Sequence, residues 1–247
     1  MSDSGSDSDA DSPLAFDEFA LCAATGDLAD ATTETAREHA DAVEFRMDLA
    51  DSPLAALDDY GDEYEADGAL PLLVTNRPEW EGGAFAGGEA ERLDSLAEAA
   101  AHDAVGAVDV ELETLRTDRG AETVTVVRER GAAVVASVHD FEGTPAASEL
   151  RRVLHEAATR GDVGKLAVTA ESRADALRLL EATHAATTWG DRVATMAMGA
   201  AGSHTRAVAP VYGSRIGYAP VDPAEATAPG QYDLATLRTL VDGLLGD

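Results

Sequence analysis

Residues 132–168, AAVVASVHDFEGTPAASELRRVLHEAATRGDVGKLAV, decide the fold. The run AAVVASV is short, apolar and rich in β-branched residues, which predicts a buried strand over 132–138. Across 146–160, Leu150, Val153, Leu154 and Ala157 recur at helical spacing, with Ser148 near the start and Gly161 just past the end. A second strand-like run, VGKLAV, follows at 163–168. Strand, helix, strand in so short a stretch means two parallel strands joined by a right-handed crossover. Outward from here the unit repeats. Further strand-like runs lie at 19–24 (FALCAA), 42–49 (AVEFRMDL), 69–76 (ALPLLVTN), 107–112 (AVDVEL), 192–198 (RVATMAM) and 214–218 (SRIGY). Helical stretches at 88–104 and 172–187 separate some of them, with Ser172 and Asp233 at plausible starts and Gly190 past an end. Eight strands in about 230 residues is the count of a (β/α)8 barrel. The rival is a doubly wound open sheet, which would carry a glycine-rich phosphate turn after the first strand. That turn is Thr25-Gly26-Asp27 and lacks the pattern. The chain is read as an α/β protein, a (β/α)8 TIM-type barrel over residues 16–247 behind an acidic tail at 1–15.

The composition narrows the partners. Among 247 residues, 47 are acidic and 18 basic, a net charge of −29. Such a field repels phosphate backbones and anionic lipid, which speaks against nucleic-acid and membrane partners. No apolar run has the length of a membrane span, and the first residues have neither the basic nor the apolar region of a secretion signal. Cys22 is the lone cysteine, so no disulfide forms within one chain; a cytoplasmic location is expected. Residues 1–12, MSDSGSDSDADS, have no core-forming residue apart from Met1 and are expected to be disordered. Asp7, Asp9, Asp11 and Glu18 fall at calcium-loop spacing, but the glycine that loop requires is Ser12 and no helix precedes it.

Barrels of this kind place reactive groups at the C-terminal ends of strands and in the loops that follow. Polar residues gather there in otherwise apolar runs. The second strand carries Glu44, Arg46 and Asp48, and the third ends in Asn76-Arg77 before Glu81-Gly82-Gly83. The fourth carries Asp109 and Glu111, the fifth ends in His139-Asp140, and the sixth contains Lys165. Arg206 follows the seventh strand, and the loop after the eighth ends in Ala228-Pro229-Gly230-Gln231.

Lys165 is the chain's single lysine beside 17 arginines. An isolated strand lysine is ordinarily a snorkelling or salt-bridged residue. Here arginine has taken every other basic position and would serve any purely electrostatic role. Only a primary amine can attack a carbonyl and form an imine, so Lys165 is the candidate Schiff-base nucleophile. From an ordinary pKa of about 10.4, burial and neighbouring arginines, with Arg46, Arg77 and Arg206 as candidates, would have to bring it toward 7.

His139 closes its strand where the ring would face the barrel mouth, and an imidazole suits proton shuttling near neutrality. Glu81, Asp109 or Glu111 could orient it. The other histidines lie mostly in helical or loop stretches and read as surface residues. No HExxH or CxxC pattern occurs, so no metal site is expected, and a phosphate-binding Walker loop is ruled out because the lone lysine follows no suitable glycines. Three arginines at strand ends would repel one another unless balanced. Pairing with Glu44, Glu81 and Asp48 accounts for part of this, and a small anionic substrate bearing a carboxylate accounts for the rest.

The fragments EFRMD (44–48), TNR (75–77) with EGG (81–83), DVEL (109–112), SVHD (137–140), GKLAV (164–168), TMAM (195–198) and APGQ (228–231) occur in the order seen in the type I 3-dehydroquinate dehydratases. The resemblance spans about residues 19–245. It implies a (β/α)8 barrel, commonly a homodimer, that dehydrates 3-dehydroquinate to 3-dehydroshikimate in the shikimate pathway without metal or organic cofactor. By the same resemblance Lys165 is the Schiff-base lysine, His139 the general acid/base and Glu81 its carboxylate partner. Glu44, Arg46 and Arg77 would hold substrate hydroxyls and Arg206 the substrate carboxylate, while Thr227 and Gln231 would bind substrate from the closing loop. Asp109 and Glu111 would support them from behind. Two positions depart from the pattern: Thr227 where serine is frequent, and Val138 where a polar residue commonly precedes the histidine. A class I aldolase would share Lys165 without needing the arginine set, and an inactive anion-binding barrel would need neither Lys165 nor His139.

Heavy use of carboxylates with almost no lysine fits a protein adapted to concentrated salt. At about 1 M salt the Debye length is roughly 3 Å, which screens repulsion across an acidic surface. The thermal midpoint is therefore expected to fall as salt is lowered from molar to millimolar; an unchanged midpoint contradicts the salt-adapted reading.

Overall fold

A computed structural model describes residues 14–66, 69–221 and 230–246 of the chain. Most of the segment read as a tail, the calcium-spaced aspartates and Thr227 lie outside the described residues. All eight expected runs become strands: β1 Ala20–Thr25, β2 Ala42–Arg46, β3 Leu72–Thr75, β4 Val105–Glu111, β5 Ala133–Asp140, β6 Val163–Thr169, β7 Val193–Met198 and β8 Ile216–Pro220. Neighbours pair in parallel in the order β7-β6-β5-β4-β3-β2-β1-β8. The ring closes between β7 and β8 through a narrow seam. Val193 bridges Ser214, the Arg215 N–H donates to the Val193 carbonyl at 2.8 Å, and the Thr195 N–H donates to Ser214 Oγ at 3.0 Å. A serine side chain thus stands in for a ladder carbonyl where the strands diverge.

The helices run α1 Glu34–His39, α2 Pro53–Ala66, α3 Glu89–Ala99, α4 Leu112–Leu115, α5 Asp118–Glu129, α6 Ala147–Arg160, α7 Arg173–Thr188, α8 Thr205–Val208 and α9 Leu234–Leu245. Their ends follow local chemistry. Ser172 forms a reciprocal capping box with Asp175 at the start of α7, and Asp233 accepts from the Thr236 N–H at the start of α9. At α6 the cap is Ala146 rather than Ser148, so the helix starts two residues earlier than the serine suggested. The stretch 88–104 ends its helix at Ala99, because Ala101 and His102 close tight turns and Val105 already belongs to β4.

In the lower half of the barrel the strands are apolar on both faces, as a sheet covered on both sides requires. Outward-facing Leu21, Val43, Phe45, Val74 and Val108 pack with Leu57 of α2, Leu93 and Leu96 of α3, Val127 of α5 and Leu237 of α9. Leu166, Val168, Val193 and Ala197 meet Leu150 and Leu154 of α6 and Leu179 of α7. Each such buried leucine contributes about 1.5–3 kcal/mol. Inside the ring, Cys22, Leu73, Val135, Val163, Ala194 and Ile216 form one apolar cluster, which Leu14 and Phe16 join. Leu14 is buried, so the packed chain starts within the stretch read as tail. Pleat alternation then carries the same inward-facing positions into the upper half, where they become polar.

Candidate active site

Above the apolar floor, Glu44, Asp109, Lys165 and Tyr218 project inward from β2, β4, β6 and β8, the alternate-strand layering of this barrel. They meet at one nitrogen. Lys165 is 3% exposed, and its Nζ donates to Asp109 Oδ2 at 3.0 Å and lies 3.6 Å from Glu44 Oε1. The Tyr218 ring faces it with its centroid 4.2 Å away. The groups touching Nζ are two carboxylates and an aromatic face; Arg77 shares Asp109 Oδ2 with it, and Arg46, Arg77 and Arg206, the arginines expected near this lysine, line the same cavity. A buried cation costs several kcal/mol without partners, which the layer supplies.

Asp109 is the hub. Its Oδ1 accepts from Ser137 Oγ at 2.5 Å, and Oδ2 takes both Lys165 and Arg77 Nη2, each at 3.0 Å. Burial would raise its carboxyl, but Arg77 and Lys165 outweigh that and hold it far below the usual carboxylate range. Arg77 Nη1 donates to Glu111 Oε1 and Ser137 Oγ, both at 2.7 Å. On the other side of Glu111, Oε2 lies 2.6 Å from Nη1 of Arg92, a charge contact not aligned as a hydrogen bond. Arg77 therefore pairs with Asp109 and Glu111, which lie outside the set Glu44, Glu81 and Asp48 that sequence offered the three arginines; from that set Asp48 does pair, with Arg46. Glu44 instead accepts from Thr75 Oγ1 at 3.0 Å.

His139 and Glu81 form a second group. The His139 backbone N–H donates to Glu81 Oε1 at 2.7 Å, and the same oxygen is 3.5 Å from His139 Nδ1. The EGG turn makes this possible. Gly82 sits at φ +77° under the Phe141 ring, and a side chain at Gly83 would collide with the Arg77 carbonyl at 2.1 Å. Phe141 in turn stacks on His139 with centroids 6.0 Å apart. Burial, then Arg77 and Lys165, holds the His139 imidazole well below its ordinary 6.5, so it is neutral near pH 7. Burial pushes Glu81 up to about 7, against the opposing pull of the His139 N–H and Arg77. Of the three carboxylates that could orient the histidine, Glu81 is the one beside it.

Glu44, Arg77, Glu81, His139, Lys165 and Tyr218 line one cavity with Arg46, Ala167, Met196, Met198, Arg206 and Gln231. Arg46 is held bidentately by Asp48 at 2.8 and 2.7 Å. Arg206, on α8, differs: it is buried, its Nε has no hydrogen-bond partner, and no carboxylate pairs with it among the described residues. Burial draws its guanidinium down to about 10, still charged. Among the described residues the cavity thus holds a cation without a counter-anion, the electrostatic requirement for a carboxylate ligand. No cluster of metal-ligating side chains occurs among the described residues. Three contributors were not foreseen. Ser137 and Tyr218 could have been found from strand alternation, two residues from His139 and Ile216 on inward faces. Arg92 falls on the buried 92, 96, 99 stripe of α3, where an arginine breaks the apolar period.

Residues 20–244 match the family model described as type I 3-dehydroquinase. The chain belongs to the type I 3-dehydroquinase family. It is 55% identical over 237 residues to the 3-dehydroquinate dehydratase of Haloquadratum walsbyi, covering 94% of each chain. With the 3-dehydroquinate dehydratase of Haloarcula marismortui it shares 57% over 235 residues, covering 94% of this chain and 99% of that one. Both relatives come from halophilic archaea, in keeping with the acidic composition. The crystal structure of 3-dehydroquinate dehydratase from Geobacillus kaustophilus superposes with a TM-score of 0.83 at 30% identity, over 93% of this chain and 92% of that one.

The shifts at His139 and Glu81 predict a pH dependence for this member of the type I 3-dehydroquinases. A raised carboxyl is protonated below its pKa and becomes a proton acceptor above it. As pH rises through about 7, Glu81 ionises and can accept the His139 Nδ1 proton, so kcat/KM is expected to rise there with an apparent pKa belonging to the pair. Glu81→Gln should remove that limb of the pH–rate profile. The same limb persisting in E81Q contradicts the assignment.

Proposed function

We propose that this chain dehydrates 3-dehydroquinate to 3-dehydroshikimate and water through an imine on Lys165, with His139 moving the protons. The observation that carries the reading is the Lys165 nitrogen, buried in a cavity that also holds a neutral imidazole and Arg206, which no carboxylate pairs among the described residues. Once a proton leaves Nζ for a neighbouring carboxylate, the amine attacks the substrate ketone, and loss of water leaves a positively charged iminium. Asp109, Glu44 and the Tyr218 face then surround a cation again. At an effective dielectric of 20, a unit pair 4 Å apart is worth on the order of 4 kcal/mol before desolvation. The iminium nitrogen accepts the electron pair when the adjacent C2–H bond breaks, and His139 takes that proton. The resulting enamine expels the C1 hydroxyl, which receives a proton from His139 and leaves as water. Hydrolysis of the product iminium frees Lys165. A single base serving both positions requires elimination on one face. Arg206 would hold the substrate carboxylate, and Arg46, Arg77 and Glu44 its hydroxyls, with Gln231 lining the same cavity. A carbon–carbon-cleaving aldolase has no comparable use for Arg206.

We also propose a cytoplasmic homodimer. Among the described residues no helix is long and apolar enough to cross a membrane. Leu177 on α7, Val211 and Tyr212 in the turn 209–212, and Leu244 on α9 are exposed on an otherwise acidic chain. That turn packs against both helices, which supports a second copy as the cover.

Incubation with 3-dehydroquinate followed by borohydride reduction should add the mass of a reduced adduct at Lys165, and Lys165→Ala and His139→Ala should each abolish turnover. Arg206→Ala should act mainly on KM. Absence of adduct, or near-native turnover in either of the first two variants, overturns the mechanism.

A further inference from the structure

We propose that Arg92 is a positioning residue for this reaction: from α3, outside the barrel, it fixes Glu111, and through Glu111 it aims Arg77 into the cavity. The inference rests on the reading of Arg77 as a group that holds substrate.

Arg92 is 0% exposed although it sits on an outer helix. Three of its contacts anchor the helix. Nε and Nη2 pair with Glu89 at 2.9 and 2.8 Å, Nη2 donates to Thr114 Oγ1 at 3.1 Å, and Nη1 donates to the Asn76 carbonyl at 3.0 Å. An arginine needed only as an anchor could stop there. The fourth contact enters the barrel, with Nη1 2.6 Å from Glu111 Oε2. The opposite oxygen, Oε1, holds Arg77 at 2.7 Å. One carboxylate is thus gripped at both oxygens by two guanidinia, and Arg77 passes the constraint to Asp109 and from there to Lys165. The groups facing Glu111 are Arg77 beyond β3, Arg92 on α3 and Asp109 on its own strand, with Glu81 further off. Without Arg92 a buried Oε2 would be left uncovered, and burial already pushes this carboxyl upward. A protonated Glu111 would loosen its hold on Arg77. Glu111→Gln removes the charge that Arg92 answers while keeping an oxygen for Arg77, so it separates the two roles.

The test compares the native chain, Arg92→Met, Glu111→Gln and the double variant by kcat, KM for 3-dehydroquinate and thermal midpoint in molar salt. R92M should lower kcat/KM by about 10- to 100-fold, chiefly through KM, since a displacement near 1 Å at a substrate-holding group has effects of that order. In the E111Q background the same substitution should change kcat/KM by less than about threefold. The midpoint should fall in both backgrounds, because the contacts to Glu89, Thr114 and Asn76 are lost in each. Native kcat/KM in R92M, or equal losses in both backgrounds, overturns the proposal. Should R92M alone fail to fold, the E111Q pair still decides, and a loss of about tenfold or more between its members overturns it. Absence of turnover by the native chain would overturn the dehydratase reading instead.

Discussion

An ammonium buried in a ring of strands has to be answered by charge, and most of the polar architecture of this barrel follows from that one requirement. Asp109 answers Lys165, with Glu44 nearby. A second buried carboxylate close to Asp109 would repel it, so Arg77 lies between Asp109 and Glu111. Glu111 in turn is covered by Arg92. The alternation runs outward from the reacting nitrogen to the helix layer. Breaking such a network at one member leaves an uncompensated charge, whose cost exceeds the net worth of the pair that was lost.

The interior and the surface of this molecule follow opposite rules. The surface carries the excess behind the net charge of −29, a field that concentrated salt would screen. Inside, cations and carboxylates match closely, and the departure is Arg206, a buried guanidinium with no counter-anion among the described residues. That imbalance selects an anionic ligand by electrostatics. Similarly, the neutral His139 beside a Glu81 poised near 7 is a consequence of burial: both groups are displaced toward their uncharged forms.

Much of this was legible in sequence. Pleat alternation places Glu44, Asp109, Lys165 and His139 on inward faces, and strand-helix repetition predicts the barrel that brings their strand ends together. What alternation leaves open is which inward residue touches which across the ring, because that depends on strand tilt and stagger. Hence alternation did not show that the groups in direct contact with the Lys165 nitrogen are Asp109 and Glu44, nor that Arg77 pairs with Asp109 and Glu111. Arg92 is inconspicuous in sequence for another reason: helix arginines are usually solvated, and only its phase on the buried stripe of α3 distinguishes it. The cap at α6 shows the same limit, where Ser148 looked suited to begin a helix that packing starts at Ala147.

The central claim, that one sheltered nitrogen becomes covalently joined to the substrate, can be watched directly because the chain has one lysine. Protein grown on lysine carrying an isotopic nitrogen label at Nζ gives a single side-chain resonance. During turnover of 3-dehydroquinate that resonance should move from the ammonium region to the iminium region and return when substrate is exhausted. A signal that stays in the ammonium region while 3-dehydroshikimate accumulates would contradict the account.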